Sequence, residues 1–375
     1  MNSSSKKHLF KYFAIFASII FSYLIIFFYF FFYLEKDFKD NFKNKSTLAF
    51  YKKYSPFVNH LRYKEVYRSK LIEQELLFNF IKDTASDKVI LFQGDSWIEQ
   101  INEITSNKQY LLDNLKSFTK IINGGVASYS PSLINAQYKI LEQDFKIRPD
   151  ILVIYIDQTD MGDELCRYKN LINLNNKGRI ASVKMETFPL YTEVFNLHEK
   201  ISFSDIDINS SNKIVKTQKY INYKILKSFF KIKKKFQSKF NKNIYYQKCH
   251  WPIIEGYKKD INKEEIEYFE TTLNRLFNFL SEKKYIKKIF IVTHPHKSQL
   301  EKNNKLINVS NFVDKTLKNF KKIEHINFSD ILKKDRNFYG DIELIWKKND
   351  DIHLNNKSFK IFLRKITETI EKFNI

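Results

Sequence analysis

Hydrophobic and polar positions along this chain follow three different patterns. From Tyr12 to Leu34 the chain carries no charge and is rich in Phe, Ile and Tyr. A helix of that length, rising 1.5 Å per residue, crosses a hydrocarbon core of roughly 30 Å. Past Leu34 the pattern turns polar, and Lys36 to Lys64 reads as a stalk, with helical periodicity starting near Glu65. Short apolar runs then alternate with amphipathic ones. Strands are predicted at Lys88–Phe92, Lys120–Ile122, Asp150–Ile156, Lys288–Val292 and near Glu324–Asn327. Helices are predicted at Trp97–Ile104, Ser132–Phe145 behind Pro131, Lys263–Glu282, Asn311–Lys321 and Lys357–Phe373. Apolar strands alternating with helices imply a parallel sheet covered on both faces. Residues 166–257 break the alternation and read as an insertion.

The expected organisation is therefore a cytoplasmic N-terminus (1–11), a transmembrane anchor (12–34), a stalk and first helix (35–85), and an α/β domain (86–375). Lys6, Lys7 and Lys11 precede the apolar run and favour a cytoplasmic N-terminus, which puts the domain on the periplasmic or exterior side of an inner membrane. A cleaved signal peptide is the alternative, but no small-x-small cleavage pattern follows the run.

Composition changes this picture little. The net charge of +22 reflects lysine spread throughout the chain rather than a compact basic stripe, so no nucleic-acid partner is expected. The densest basic run, Lys224 to Lys239, reads as a solvated helix face. Two cysteines exclude a disulfide scaffold; Cys166 and Cys249, one at each end of the insertion, fit either a single bridge outside the cytoplasm or two free thiols. Glycine is more informative. Only seven occur in 375 residues, and Gly94, Gly124, Gly125 and Gly162 fall close together. A chain so poor in glycine should keep it where the backbone requires it.

Ligands of doubly wound sheets sit at the carboxyl ends of the strands. Gln93-Gly94-Asp95-Ser96-Trp97 follows the first predicted strand, Asn123 to Ser130 the second, and Asp157-Gln158-Thr159-Asp160 the third. Asp350-Asp351-Ile352-His353 stands before the last helix. A serine, an acid–histidine pair and turns with available N–H groups are the parts of an acyl-transfer site. Ser96 is the candidate nucleophile, His353 its base, and Asp350 the acid that orients the imidazole. Asp157, Asp160 and His294, all after strands, are candidate substrate contacts. No metal or other cofactor is expected.

These blocks, in this order, resemble the SGNH (GDSL-type) hydrolases. Gly94-Asp95-Ser96 matches that family's first block, and Asp350-x-x-His353 followed by Leu354-Asn355 matches its last. Arg148-Pro149-Asp150 and the strand after it are also typical. The resemblance covers about residues 86–160 and 285–372 and leaves the insertion unmatched. It implies a flavodoxin-like three-layer α/β/α sandwich and an oxyanion hole formed by Ser96, Ser128 and Thr159. Two positions depart from the family pattern: Ser128 stands where a glycine is usual, and Thr159 where an asparagine is usual. The function implied is a membrane-anchored serine esterase removing an acyl group, acetyl above all, from a cell-surface glycan or related ester. An O-acyltransferase using the same triad and an inactive glycan-binding protein of envelope assembly are the alternatives.

Overall fold

The structure, a computed structural model, describes residues 12–29, 31, 53–62, 77–85, 88–184, 214, 217, 221, 262–300, 307–340, 345–348 and 350–373. The chain divides into two units. One contains helix α1 (Tyr12–Tyr29), which is long and apolar enough to cross a membrane and exposes its Phe, Ile and Leu side chains. The end of the predicted span, the helical pattern near Glu65, the basic run and Cys249 lie outside the described residues.

The other unit is built on a six-stranded sheet. Its strands are β1 (Asn79–Asp83), β2 (Val89–Gln93), β3 (Lys120–Asn123), β4 (Ile151–Tyr155), β7 (Lys288–Thr293) and β8 (Ile323–Asn327), in the order β1-β3-β2-β4-β7-β8. From β3 to β8 every pairing is parallel, whereas β1 runs antiparallel along β3 with a bulge between Phe80 and Lys82. The parallel part has the flavodoxin-like order, which reverses direction at β2. A separate hairpin, β5 (Ile172–Leu174) with β6 (Ile180–Val183), occupies the start of the expected insertion.

Alternation of side chains in these apolar strands sends successive residues to opposite faces. Ile90, Phe92, Ile151, Val153, Phe290 and Val292 join one core cluster with helices α2 (Ser96–Glu103), α3 (Thr105–Asn114) and α8 (Asn356–Glu371). The intervening buried residues, such as Leu91, Leu152 and Ile291, take the other face. There α4 (Pro131–Gln143), α5 (Lys263–Ser281) and α6 (Val309–Leu317) pack in sequence, α4 against α5 and α5 against α6. Pro131 opens α4 at its first turn, and Asn262 with Glu265 forms a capping box on α5. Helix α7 (Phe328–Lys334) follows β8 directly. The three-layer sandwich expected from the pattern is the observed fold.

The expected stalk does not stay outside the domain. Val58, Asn59, His60, Leu61 and Arg62 are buried, and Asn59 N–H donates to the Val183 carbonyl of β6 at 2.8 Å. Cys166 is disulfide-bonded.

Candidate active site

Ser96 is the first residue of α2, immediately after β2 and therefore at the point where the strand order reverses. The turn that puts it there requires glycine. Gly94 has φ +154°, and a Cβ on it would meet Ile98 Cγ1 at 2.8 Å and Tyr155 Cβ at 3.0 Å. Asp95 caps α2 by accepting from Trp97 N–H at 2.9 Å. Burial and the nearby Asp157 charge push the Asp95 carboxyl well above its usual range.

Ser96 Oγ lies 2.7 Å from His353 Nε2, and His353 Nδ1 lies 2.8 Å from Asp350 Oδ2. Asp350 Oδ1 also accepts from the N–H groups of Ile352 (2.9 Å) and His353 (3.0 Å). Partial burial opposes ionisation of Asp350. The hydrogen bonds from His353 and Ile352 outweigh it and hold the carboxyl well below the usual range. A carboxylate only accepts, so Nδ1 carries the proton and Nε2 is left to accept from the serine hydroxyl. Asp351, the neighbouring acid, is exposed and faces Lys297 at 3.8 Å.

The loop after β3 lies against α2. A Cβ on Gly125 would come within 2.3 Å of Glu99 N, so the two backbones touch only because residue 125 is glycine. In this loop every carbonyl from Asn123 to Ser128 accepts a hydrogen bond. The donors are Arg62 to Asn123 and Gly125, Gln137 to Gly124, Tyr129 N–H to Val126, His60 to Ala127 and Tyr168 to Ser128. Its N–H groups are engaged as well: Gly124 with Phe92 O, Gly125 with Asn123 Oδ1, Val126 with Gly94 O, Ala127 with Glu99 Oε2 and Tyr129 with Val126 O. The exception is Ser128. Its N–H, like that of Ser96, makes no hydrogen bond among the described residues. Ser128 has φ +62°, the left-handed conformation that glycine adopts without strain.

Thr159 differs from its expected role. Its hydroxyl and its N–H both donate to Asp157 Oδ2, so neither faces an oxyanion. Gln158 does not substitute for it, because its amide bonds to His294 O, Gln299 and Val309 N–H. The three expected substrate contacts are also corrected. Asp157, Asp160 and His294 are all buried to within 1% exposure. Asp157 pairs with buried His296 at 2.8 Å; burial would raise its pKa, but His296 and the Thr159 donors hold it well below the usual range. Asp160 is pushed well above that range by burial and by the charge of Asp95. His294 lies among Trp97, Phe328, Tyr339 and Trp346, and burial lowers its pKa to about 3. These groups form a buried polar cluster beneath the turn that carries Ser96.

Three contributors carry no signal in the sequence. Gln100, one turn beyond Ser96, donates to the Leu354 carbonyl at 3.0 Å and so ties the helix of Ser96 to the loop of His353. His60 and Arg62 come from a polar stretch more than sixty residues before the loop they hold. Nothing in their spacing marks them.

No family model and no curated protein matches the chain. Similar solved structures include LAE5, an alpha/beta hydrolase enzyme from the metagenome of Lake Arreo, at 10% identity over 76% of this chain and 95% of that one, with a TM-score of 0.39. Another is Axe2, an acetylxylan esterase from Geobacillus stearothermophilus, at 12% identity, 77% and 95% coverage and TM-score 0.37. A GDSL-like lipase from Parabacteroides merdae is similar at 15% identity, 77% and 97% coverage and TM-score 0.34.

Proposed function

We propose that the chain is a serine esterase of the SGNH type, held to a membrane by α1 and acting through an acyl-enzyme. The observation that carries this reading is the hydrogen-bonded chain Ser96–His353–Asp350 beside two unspent N–H groups, those of Ser96 and Ser128. Ser96 Oγ attacks the ester carbonyl while His353 Nε2 takes the hydroxyl proton. The two N–H groups bind the oxyanion, and Asp350 stabilises the imidazolium. Collapse expels the alcohol, which receives the proton from His353. Water, activated by the same imidazole, then releases the acid and regenerates Ser96.

The acyl group we assign is acetyl, and the alcohol a hydroxyl of a cell-surface glycan. The apolar helix that ties the domain to a membrane surface favours such a substrate, as does the resemblance in the sequence blocks. The test is release of acetate from an acetylated oligosaccharide by the full chain in detergent, with and without a free glycan acceptor. Acetate release lost in Ser96→Ala supports the esterase. Acetylated acceptor formed without net acetate release makes the protein a transferase. Wild type that neither cleaves the ester, with or without acceptor, nor takes a fluorophosphonate probe at Ser96 removes the enzyme reading.

A further inference from the structure

The hydrogen bonds around the oxyanion loop single out one peptide unit. In a trans peptide the carbonyl of one residue and the N–H of the next lie in one plane and point in opposite directions. Whatever holds the Ala127 carbonyl therefore aims the Ser128 N–H. That carbonyl is held by His60, whose Nε2 lies 2.8 Å from Ala127 O. A carbonyl only accepts, so Nε2 carries the proton at this contact. The flanking carbonyls are fixed separately, by Tyr168 at Ser128 O (2.8 Å) and by Tyr129 N–H at Val126 O (3.0 Å).

We propose that His60 is a positioning residue for the oxyanion hole: its Nε2–H holds and polarises the Ala127–Ser128 peptide so that the Ser128 N–H faces the developing oxyanion. This inference rests on the esterase reading above. It also gives the segment 59–62 a role in the site, where the sequence pattern suggested only a tether.

Several features agree with it. His60 is 1% exposed, its ring meets Tyr129 edge-on at 5.1 Å, and its own carbonyl accepts from Tyr129 Oη at 2.7 Å. His60 Nδ1 lies 2.9 Å from Asn59 Oδ1, so the imidazole is held at both ring nitrogens. Burial lowers its pKa to about 4. The need for such a clamp follows from Ser128. A non-glycine residue at φ +62° is not the backbone's own preference, and surrounding bonds must maintain it. A donor to the carbonyl also strengthens the N–H at the far end of the same peptide.

Two substitutions separate positioning from bulk. In His60→Gln the amide nitrogen takes the place of Nε2, whereas in His60→Asn it takes the place of Nδ1 and falls short of Ala127 O. The full chain in detergent is assayed with an acetyl ester, and kcat is expressed per active site titrated to completion with a fluorophosphonate. Expected is a fall in per-site kcat of about 10- to 100-fold for His60→Asn with KM within about threefold, and recovery to within about fivefold of wild type for His60→Gln. Equal per-site kcat in His60→Asn and wild type overturns the proposal, as does a His60→Gln variant as slow as His60→Asn. Wild type that neither turns over ester nor takes the probe overturns the esterase reading itself, and this inference with it.

Discussion

Gln100 donates its side-chain amide to the carbonyl of Leu354 at 3.0 Å, which joins the helix of Ser96 to the residue after His353. Ser96 and His353 are 257 positions apart in the chain, yet their reacting atoms lie 2.7 Å apart. Such a distance persists only if the two elements move together. Gln100→Ala leaves a buried carbonyl unpaired, at about 1–3 kcal/mol, and frees the histidine loop. We expect a lower melting temperature and a kcat reduced by about tenfold, with KM little changed. A kcat equal to that of wild type in the folded variant would show that the loop needs no such tie.

The orientation of His353 gives a sharper test. Asp350 accepts from His353 Nδ1, and this bond leaves Nε2 free to accept from Ser96. In Asp350→Asn the amide can donate to Nδ1 and so favour the tautomer with its proton on Nε2, which cannot take the serine proton. The expected loss of kcat is about 10⁴-fold, with the fold intact. Because Ser96 and His353 act as a unit, the double variant Ser96→Ala/His353→Ala should be no slower than either single variant. Additive losses would mean that the two residues act separately.

Thr159 provides a contrast within the same site. Its hydroxyl is committed to Asp157 and does not point at an oxyanion. Thr159→Ala should therefore lower kcat by less than about tenfold, well short of the ~10²–10³ that follows loss of a true oxyanion donor. A loss of the larger size would mean that the hydroxyl turns toward the substrate during the reaction.

The parts of this molecule that were legible in the sequence are those whose physics is local. β2, β4 and β7 are buried on both faces and read as continuous apolar runs; Ser96, Asp350 and His353 sit in short blocks next to elements whose ends are marked by caps. β1 was not legible, because Asn79–Asp83 is an edge strand whose half-polar residues are set by pairing with β3 rather than by burial. Helix α3 was missed for a related reason: Thr105–Asn114 is mostly polar and buries only Asn107 and Leu111 on its surroundings. The misassigned substrate contacts have another cause. Strand-end position places the backbone of Asp157 and His294 at the ligand edge, but side-chain direction depends on the Trp97–Tyr155 stack and the His296 pair beside them. The hold of His60 and Arg62 on the loop after β3 is a long-range arrangement with no periodic or motif signal.

Glu164 connects the site's support to pH. It is fully buried beneath the start of α4 and accepts from Ser130 Oγ (2.8 Å), Ser132 N–H (2.6 Å) and Ser132 Oγ (2.9 Å). Burial favours the neutral acid and outweighs these three bonds, so its pKa is raised from 4.5 to about 7. A carboxyl raised in the folded state binds its proton more tightly there than in the unfolded chain. Its stabilising contribution is complete below pH 4.5 and is lost as pH rises through about 7. Integrated over that shift the loss is on the order of 3 kcal/mol. Gln at this position keeps one acceptor oxygen for Ser130 and Ser132 N–H, while its NH2 can donate to the Ser132 hydroxyl, so no buried group is orphaned. Melting curves of wild type and Glu164→Gln from pH 4.5 to 8 should therefore diverge, the variant gaining on wild type as pH rises. Parallel curves across that range would mean that Glu164 is already ionised in the folded protein and that the three hydrogen bonds, not burial, set its state.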